Sequence, residues 1–268
     1  MDETQKSSVF SQLSPGQTFA LGLVGGVMTL CTLGFLIMLP SLLGGSFSGF
    51  SSGGNDVVTV DPSDVANTGS GPKVADIAKA IGLDYDKFKS CVASNKYAGK
   101  VQADESEGQA AGGQGTPYTI IVGPKGETVP VNGAYPFAVV DGVIKKMLGQ
   151  TVANAADLPK AETGIKVRPV QKDESFRGNA SAKIMIVEYS DMECPFCKNF
   201  HNTMQQVMGA HEKNVKWVYR HFPLDSLHQK ARPEANMAEC AAEQGKFWEF
   251  TDSVFKVTPS NDGMDITL

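Results

Sequence analysis

The sequence predicts an α/β fold, preceded by one membrane-spanning helix. Three observations carry that prediction. An apolar, β-rich run from Ile184 to Val187 leads into Cys194-Pro195-Phe196-Cys197, after which Phe200, Met204, Val207 and Met208 recur at helical spacing. Strands alternate with helical patterns elsewhere too: a hairpin reads from Tyr118 to Val131, and an alternating stretch from Val215 to Tyr219. Ahead of these, the 25 residues from Phe19 to Leu43 carry no charge. That exceeds the ~20 residues needed to cross the hydrocarbon core of a bilayer.

The 268 residues allow one sizeable domain with appendages, or two small ones. A net charge of −5, with no basic stripe, argues against a nucleic-acid partner. Residues 1–17 are polar, with Lys6 the only basic side chain, and read as a short cytoplasmic N-terminus. Residues 18–43 read as an uncleaved transmembrane signal anchor, because the apolar run is too long for a cleaved leader and shows no small-x-small site. No basic residue follows the span until Lys73, which places the N-terminus inside and the bulk of the chain outside the cytoplasm. An exported location suits cysteines that work as disulfides. Residues 44–72, rich in Gly and Ser and then in Asp, Asn and Thr, read as a flexible tether.

Folded structure is expected from Lys73. Val74, Ile77, Ala78 and Ile81 mark a helix face, with Gly82 as its stop. Asp84 is placed to N-cap a second helix carrying Phe88, Cys91 and Val92. A third helix is expected from about Lys96 to Ala111, with Tyr97, Val101 and Ala110 as apolar positions. Thr116-Pro117 then opens the hairpin, a place where a missing N–H costs no ladder bond. Pro136 opens a helix with Phe137, Val140, Val143, Ile144, Met147 and Leu148 on its buried side. Residues 149–165 read as a linker, Lys166 to Val170 as a short edge strand, and Arg177-Gly178-Asn179 as a loop. Lys183 to Tyr189 is the central strand. Arg220 to Leu224 ends the next one. Helices are expected from near Arg232 to Glu243, with Ala235, Ala238 and Ala242 on one face, and around Phe247 to Phe255.

The chemistry lies at Cys194 and Cys197. A cysteine at the start of a helix faces unpaired backbone N–H groups and the positive end of the helix dipole, which together stabilise a thiolate. Pro195 suits the first helical turn. Cys197, one turn on, is placed to close a disulfide with Cys194. Half of a zinc site or a purely structural disulfide are the alternatives, although no second metal-ligand pair is evident. Glu193 reads as a solvated turn residue, the alternative being that it lies close enough to Cys194 to raise the thiol pKa or relay a proton, and His221 and His228 read as structural or surface residues without a placed partner. Cys31 lies in the membrane segment as apolar filler.

The segments VEYSDMECPFCKNFH, VYRHFPL and AECAAEQGKFWEFTDSVF resemble the first half of a DsbA-like thiol–disulfide oxidoreductase. IAKAIGLDYDKFKSC, GTPYTIIV and NGAYPFAVVDGVIKKML resemble the second half. The resemblance covers residues 73–148 and 166–268, with the halves in reversed order, as in a circular permutation. The linker 149–165 would bridge the old ends, spanning up to about 56 Å at ~3.3 Å per residue. The alternative is two half-domains, completed by domain swapping between chains.

The resemblance implies a thioredoxin-like fold with a helical insertion, circularly permuted, in residues 73–268. It implies Cys194 as nucleophile, Cys197 as resolving thiol, and a cis Thr116-Pro117 bond whose backbone pairs with extended substrate. It also places Cys91 and Cys240 in the two insertion helices, as a structural disulfide. No cofactor and no metal are implied. The expected partners are reduced or misoxidised exported proteins and a membrane redox partner that resets the cysteines. Phe196 departs from the His found in strongly oxidising members, so reductase or isomerase use stays open. A peptide- or metal-binding module and an inactive relic are the rival readings.

Overall fold

The computed structural model describes residues 73–259 and 261–268. The expected membrane span and tether, residues 18–72, lie outside the described residues, as does Cys31. Among the described residues, no helix is long and apolar enough to cross a membrane.

Three helices come first: α1 (Val74–Ala80), α2 (Tyr85–Ala93) and α3 (Ala98–Ala110). The Asp84 carboxylate accepts from the Lys87 backbone N–H, so α2 starts where a side-chain cap supplies an acceptor. The hairpin follows as β1 (Tyr118–Val122) and β2 (Thr128–Asn132), then α4 (Phe137–Met147). The second part of the chain runs β3 (Phe176–Gly178), β4 (Ile184–Ser190), α5 (Pro195–His211), β5 (Val215–His221), α6 (Ala231–Ala242) and α7 (Phe247–Val257).

The five strands form one sheet in the order β2-β1-β4-β5-β3. β4 and β5 are parallel, and α5 is the crossover that such a pairing needs. β1 lies antiparallel to β4, with Tyr118 opposite Tyr189 and Ile120 opposite Val187. Period-2 alternation splits the side chains of each strand between two cores. Ile184 and Ile186 of β4 pack with Ile121, Val215 and Trp217 beneath α4 and α5. Val187 and Tyr189 face the other way, with Tyr118, Ile120, Val218 and Phe222. A third core gathers α1, α2, α6 and α7 around Phe88, Phe250 and Met264. Cys91 of α2 and Cys240 of α6 are joined there by a disulfide, across a sequence separation of 149 residues. Asp265 bridges in parallel to Lys73, and Val74 N donates to Asp265 O at 2.9 Å.

Four sequence expectations are corrected. Residues 166–170 form no strand. The Arg168 N–H donates to a Glu107 carboxylate oxygen at 2.7 Å, and its guanidinium meets Asp104, Glu107 and Glu174, so this segment spends its polar groups on α3 rather than on a ladder. The edge strand is instead Phe176–Gly178, where a loop was expected, paired antiparallel to β5. β5 continues through Arg220 and His221 instead of ending before them. Arg220 is fully buried, and Glu174 and Glu107 accept from its guanidinium at 2.8 and 3.0 Å. The inner face of α3 is Val101, Asp104 and Gly108, while Ala110 is exposed. Gly108 is needed there, because a Cβ at this position would lie 2.9 Å from the Tyr189 ring.

A disulfide closing so long a loop restricts the unfolded chain strongly. Replacing Cys91 and Cys240 together by Ser is expected to lower unfolding free energy by about 2–4 kcal/mol in denaturant titrations. Mass spectrometry of the thiol-blocked native protein should find neither cysteine alkylated.

Candidate active site

Cys194 is the N-cap of α5 and Pro195 its first helical residue. The Cys194 carbonyl accepts from Lys198 N at 3.1 Å, so its sulfur sits over the unpaired N–H groups of the first turn. The turn before it is tied down by Asp191. One Asp191 carboxylate oxygen accepts from the Glu193 and Cys194 backbone N–H groups, at 2.8 and 3.2 Å. The Asp191 N–H in turn donates to the Cys197 sulfur at 3.4 Å.

β1 supplies the opposite wall. The Thr116-Pro117 peptide is cis, and the Cys194 thiol points at the Thr116 carbonyl oxygen, 3.5 Å away. Residues 116 and 194, which are 78 positions apart in sequence, therefore meet because β1 and β4 are neighbours in the sheet. Cys194 and Cys197 are both unbonded and buried. Phe196, between them, is 62% exposed. It presents an apolar ring to solvent and donates nothing to the sulfur.

The two sulfurs differ in acidity. A hydrogen bond from the Cys197 side chain, helped by Thr116 and by the Cys197 and Phe196 backbone N–H groups, brings the Cys194 thiol down to about 6, against burial, which acts the other way. The Thr116 hydroxyl is buried and has no hydrogen-bond partner among the described residues. Burial, together with the neighbouring Cys194 sulfur, holds the Cys197 thiol well above its ordinary value. Such a pair is suited to thiol–disulfide exchange, with one sulfur as nucleophile and leaving group and the other as proton holder.

One carboxylate near the site escaped the sequence reading, and a second was expected to be solvated. Glu188 is fully buried in β4, on the face below α5. The Trp217 indole N–H donates to one of its oxygens at 2.9 Å, and the other oxygen has no partner. Burial pushes its carboxyl up to about 7. The available signal was a lone acid inside a β-rich apolar run that is covered on both faces. Glu193 is the second. It is buried, not solvated as expected, because its side chain accepts from Lys230 N at 2.6 Å and Gly263 packs against it. His221 and His228 are also buried and each has an acidic partner, Glu239 at 3.0 Å and Asp191 at 2.9 Å.

Comparison with known proteins agrees with this geometry. Residues 171–262 match the family model described as Thioredoxin, and residues 63–145 match the DSBA-like thioredoxin domain. The fold and the cysteine site define a thioredoxin-superfamily protein. Within that superfamily, the chain is DsbA-like. It is also similar to parts of curated proteins named Na(+)/H(+) antiporter NhaA. The match is 39% identical over 99 residues with NhaA 1 of Mycolicibacterium vanbaalenii, covering 36% of this chain and 16% of the antiporter. It is 37% identical over 99 residues with NhaA 1 of Mycolicibacterium gilvum, with the same coverage. With NhaA 3 of Salinispora tropica it is 40% identical over 85 residues, covering 31% and 13%. The chain thus spans less than a fifth of the length of these relatives.

Glu188 has a measurable consequence. Its carboxyl titrates near 4.5 when unfolded and near 7 when folded, so between those pH values the folded chain holds a proton that the unfolded chain has released. Stability from this group therefore falls as pH rises through that window. Glu188→Gln is expected to match the parent at pH 4.5 and to exceed it at pH 8 by on the order of 3 kcal/mol in denaturant titrations.

Proposed function

We propose that this protein is a membrane-anchored, extracytoplasmic thiol–disulfide oxidoreductase that acts on exported proteins through Cys194 and Cys197. The observation that carries the reading is the acidified Cys194 sulfur at the head of α5, facing the Thr116 carbonyl beside Pro117. In the oxidising direction, a substrate thiolate attacks Cys194 Sγ of the Cys194–Cys197 disulfide. A substrate–Cys194 disulfide forms and Cys197 leaves as a thiolate, which takes up a proton readily because its acidity is suppressed. A second substrate thiolate then attacks the substrate sulfur and expels the Cys194 thiolate. The substrate dithiol has lost two electrons to the enzyme disulfide, and a membrane redox partner must remove them. Thiolate stabilisation at Cys194 favours the reduced enzyme and so the oxidising direction. The apolar Phe196 is the observation that favours reductase or isomerase use as the second reading.

The Thr116 backbone, beside the two cysteines, is suited to pair with an extended substrate segment by a short strand addition. The halves of the domain are read as circularly permuted within one chain, with domain swapping between two chains as the alternative. The reversed order of the two family matches and the Lys73–Asp265 bridge support this. Residues 19–43 are the proposed anchor and 44–72 the tether. Relatives named as antiporters support a membrane setting.

Oxidation of a reduced dithiol peptide tests the reading. Activity should fall to background in Cys194→Ser and persist in Cys31→Ser, and Cys197→Ser given the disulfide form of the peptide should accumulate a Cys194–peptide mixed disulfide, the peptide's other sulfur leaving as a thiolate. Undiminished turnover by Cys194→Ser would end the redox assignment.

A further inference from the structure

His228 belongs to the loop between β5 and α6, and its ring is held from both sides. Nδ1 lies 2.9 Å from the second Asp191 carboxylate oxygen, and Nε2 lies 3.2 Å from the Asn261 side-chain oxygen. Both neighbours are acceptors. With the Asn261 amide in this orientation both ring nitrogens face acceptors, an arrangement that suits the protonated ring, and the Asp191 carboxylate at Nδ1 favours that form whichever way the amide is turned. The same Asp191 oxygen also accepts from Leu224 N at 2.8 Å, while its other oxygen holds the Glu193 and Cys194 N–H groups. One buried carboxylate thus joins the imidazole to the backbone of the reactive cysteine. Alone, that carboxylate would oppose a thiolate at Cys194; an imidazolium on its far side cancels the charge.

We propose that His228 is a positioning residue whose positive charge, delivered through Asp191, favours the Cys194 thiolate and so makes the reactivity of that cysteine depend on pH. The proposal rests on the redox reading of Cys194. The charged and titratable groups around the ring are Asp191 and Glu193 from the turn before α5, Cys194 itself, Lys230 on the same loop, Glu234 on α6, and Asp262 beyond Asn261. Burial pushes Glu234 up to about 8, so near neutral pH it is largely uncharged. Lys230 directs its ammonium to the Asp262 carbonyl oxygen at 2.6 Å, away from the ring. Although burial opposes it, the Asp191 carboxylate raises the His228 pKa, and the Cys194 thiolate adds to that rise. Coupling between two titrating groups is reciprocal, so what the thiolate does for the imidazolium the imidazolium does for the thiolate.

The test uses the full chain with its cysteines either reduced or joined. In the unmodified protein, the His228 ring should titrate by NMR about half a pH unit higher in the reduced form than in the disulfide form. This corresponds to about a threefold coupling, the size expected of unit charges several ångströms apart and screened about as strongly as in water. Equal titration in both redox states overturns the proposal. In H228Q, which keeps a donor toward Asp191, alkylation of Cys194 by iodoacetamide should be about threefold slower at pH 6 and should converge with the parent by pH 9.5, as the parent ring loses its proton and Cys194 is fully ionised in both. A deficit that is the same at both pH values marks simple loosening of the loop and also overturns it. If H228Q does not fold, the NMR measurement decides alone. Neither readout requires turnover, so a peptide-oxidation assay that fails would count against the redox reading and not against this coupling.

Discussion

The site depends on the register in which β1 lies against β4. Tyr118 opposite Tyr189 sets Pro117 and Thr116 just beyond the strand end that delivers Asp191 and the cysteine turn. A slip of one residue would turn Ile120 and Val187 to the wrong face and carry the Thr116 carbonyl away from Cys194. Two features guard against such a slip. The Tyr118 and Tyr189 rings stack at 6.2 Å, and the Tyr118 hydroxyl donates to the Ala111 carbonyl at 2.7 Å. Gly113 lets the chain pass that ring closely, since a Cβ there would meet it at 2.9 Å.

Around this register the protein buries charge in matched sets. Arg220, Arg168, Glu174, Glu107 and Asp104 form a network that fastens α3 and the segment after the linker to β5. Removing one member would strand its partners without water, the costly way to break such a set. Near the cysteines the pattern changes. Glu188 and Glu234 each keep one oxygen without a partner. A fold that pairs its charges with care elsewhere leaves these two carboxyls to be pushed by burial up to about 7 and about 8, so that both hold their protons far above the ordinary carboxylate range.

The local parts of this structure were legible in the sequence because they rest on short-range rules. The strand–Cys-x-x-Cys–helix unit, the hairpin with its Gly-Pro-Lys-Gly turn, and the Asp84 cap each need only a few neighbouring residues. The elements that were missed are set by partners far along the chain. Arg220 reads as a strand breaker until Glu107, which lies 113 positions earlier, is placed beside it. The backbone of Arg168 forgoes a ladder for the same carboxylate, 61 positions away. Asp191 and His228 look like ordinary turn residues, and only the folded chain brings the imidazole between Asp191 and Asn261. Glu188 hid inside a hydrophobic run whose composition says strand and whose single acid says nothing about solvent.

The bond between Cys91 and Cys240 spans most of the domain's length, including the exposed stretch from Lys160 to Gly164. A protease that cut this stretch would leave two polypeptides still fastened to each other through α2 and α6. They would migrate as one species until a reductant was added, and only then come apart. The domain is thus protected against a broken backbone at the place where its two parts are covalently linked by little else.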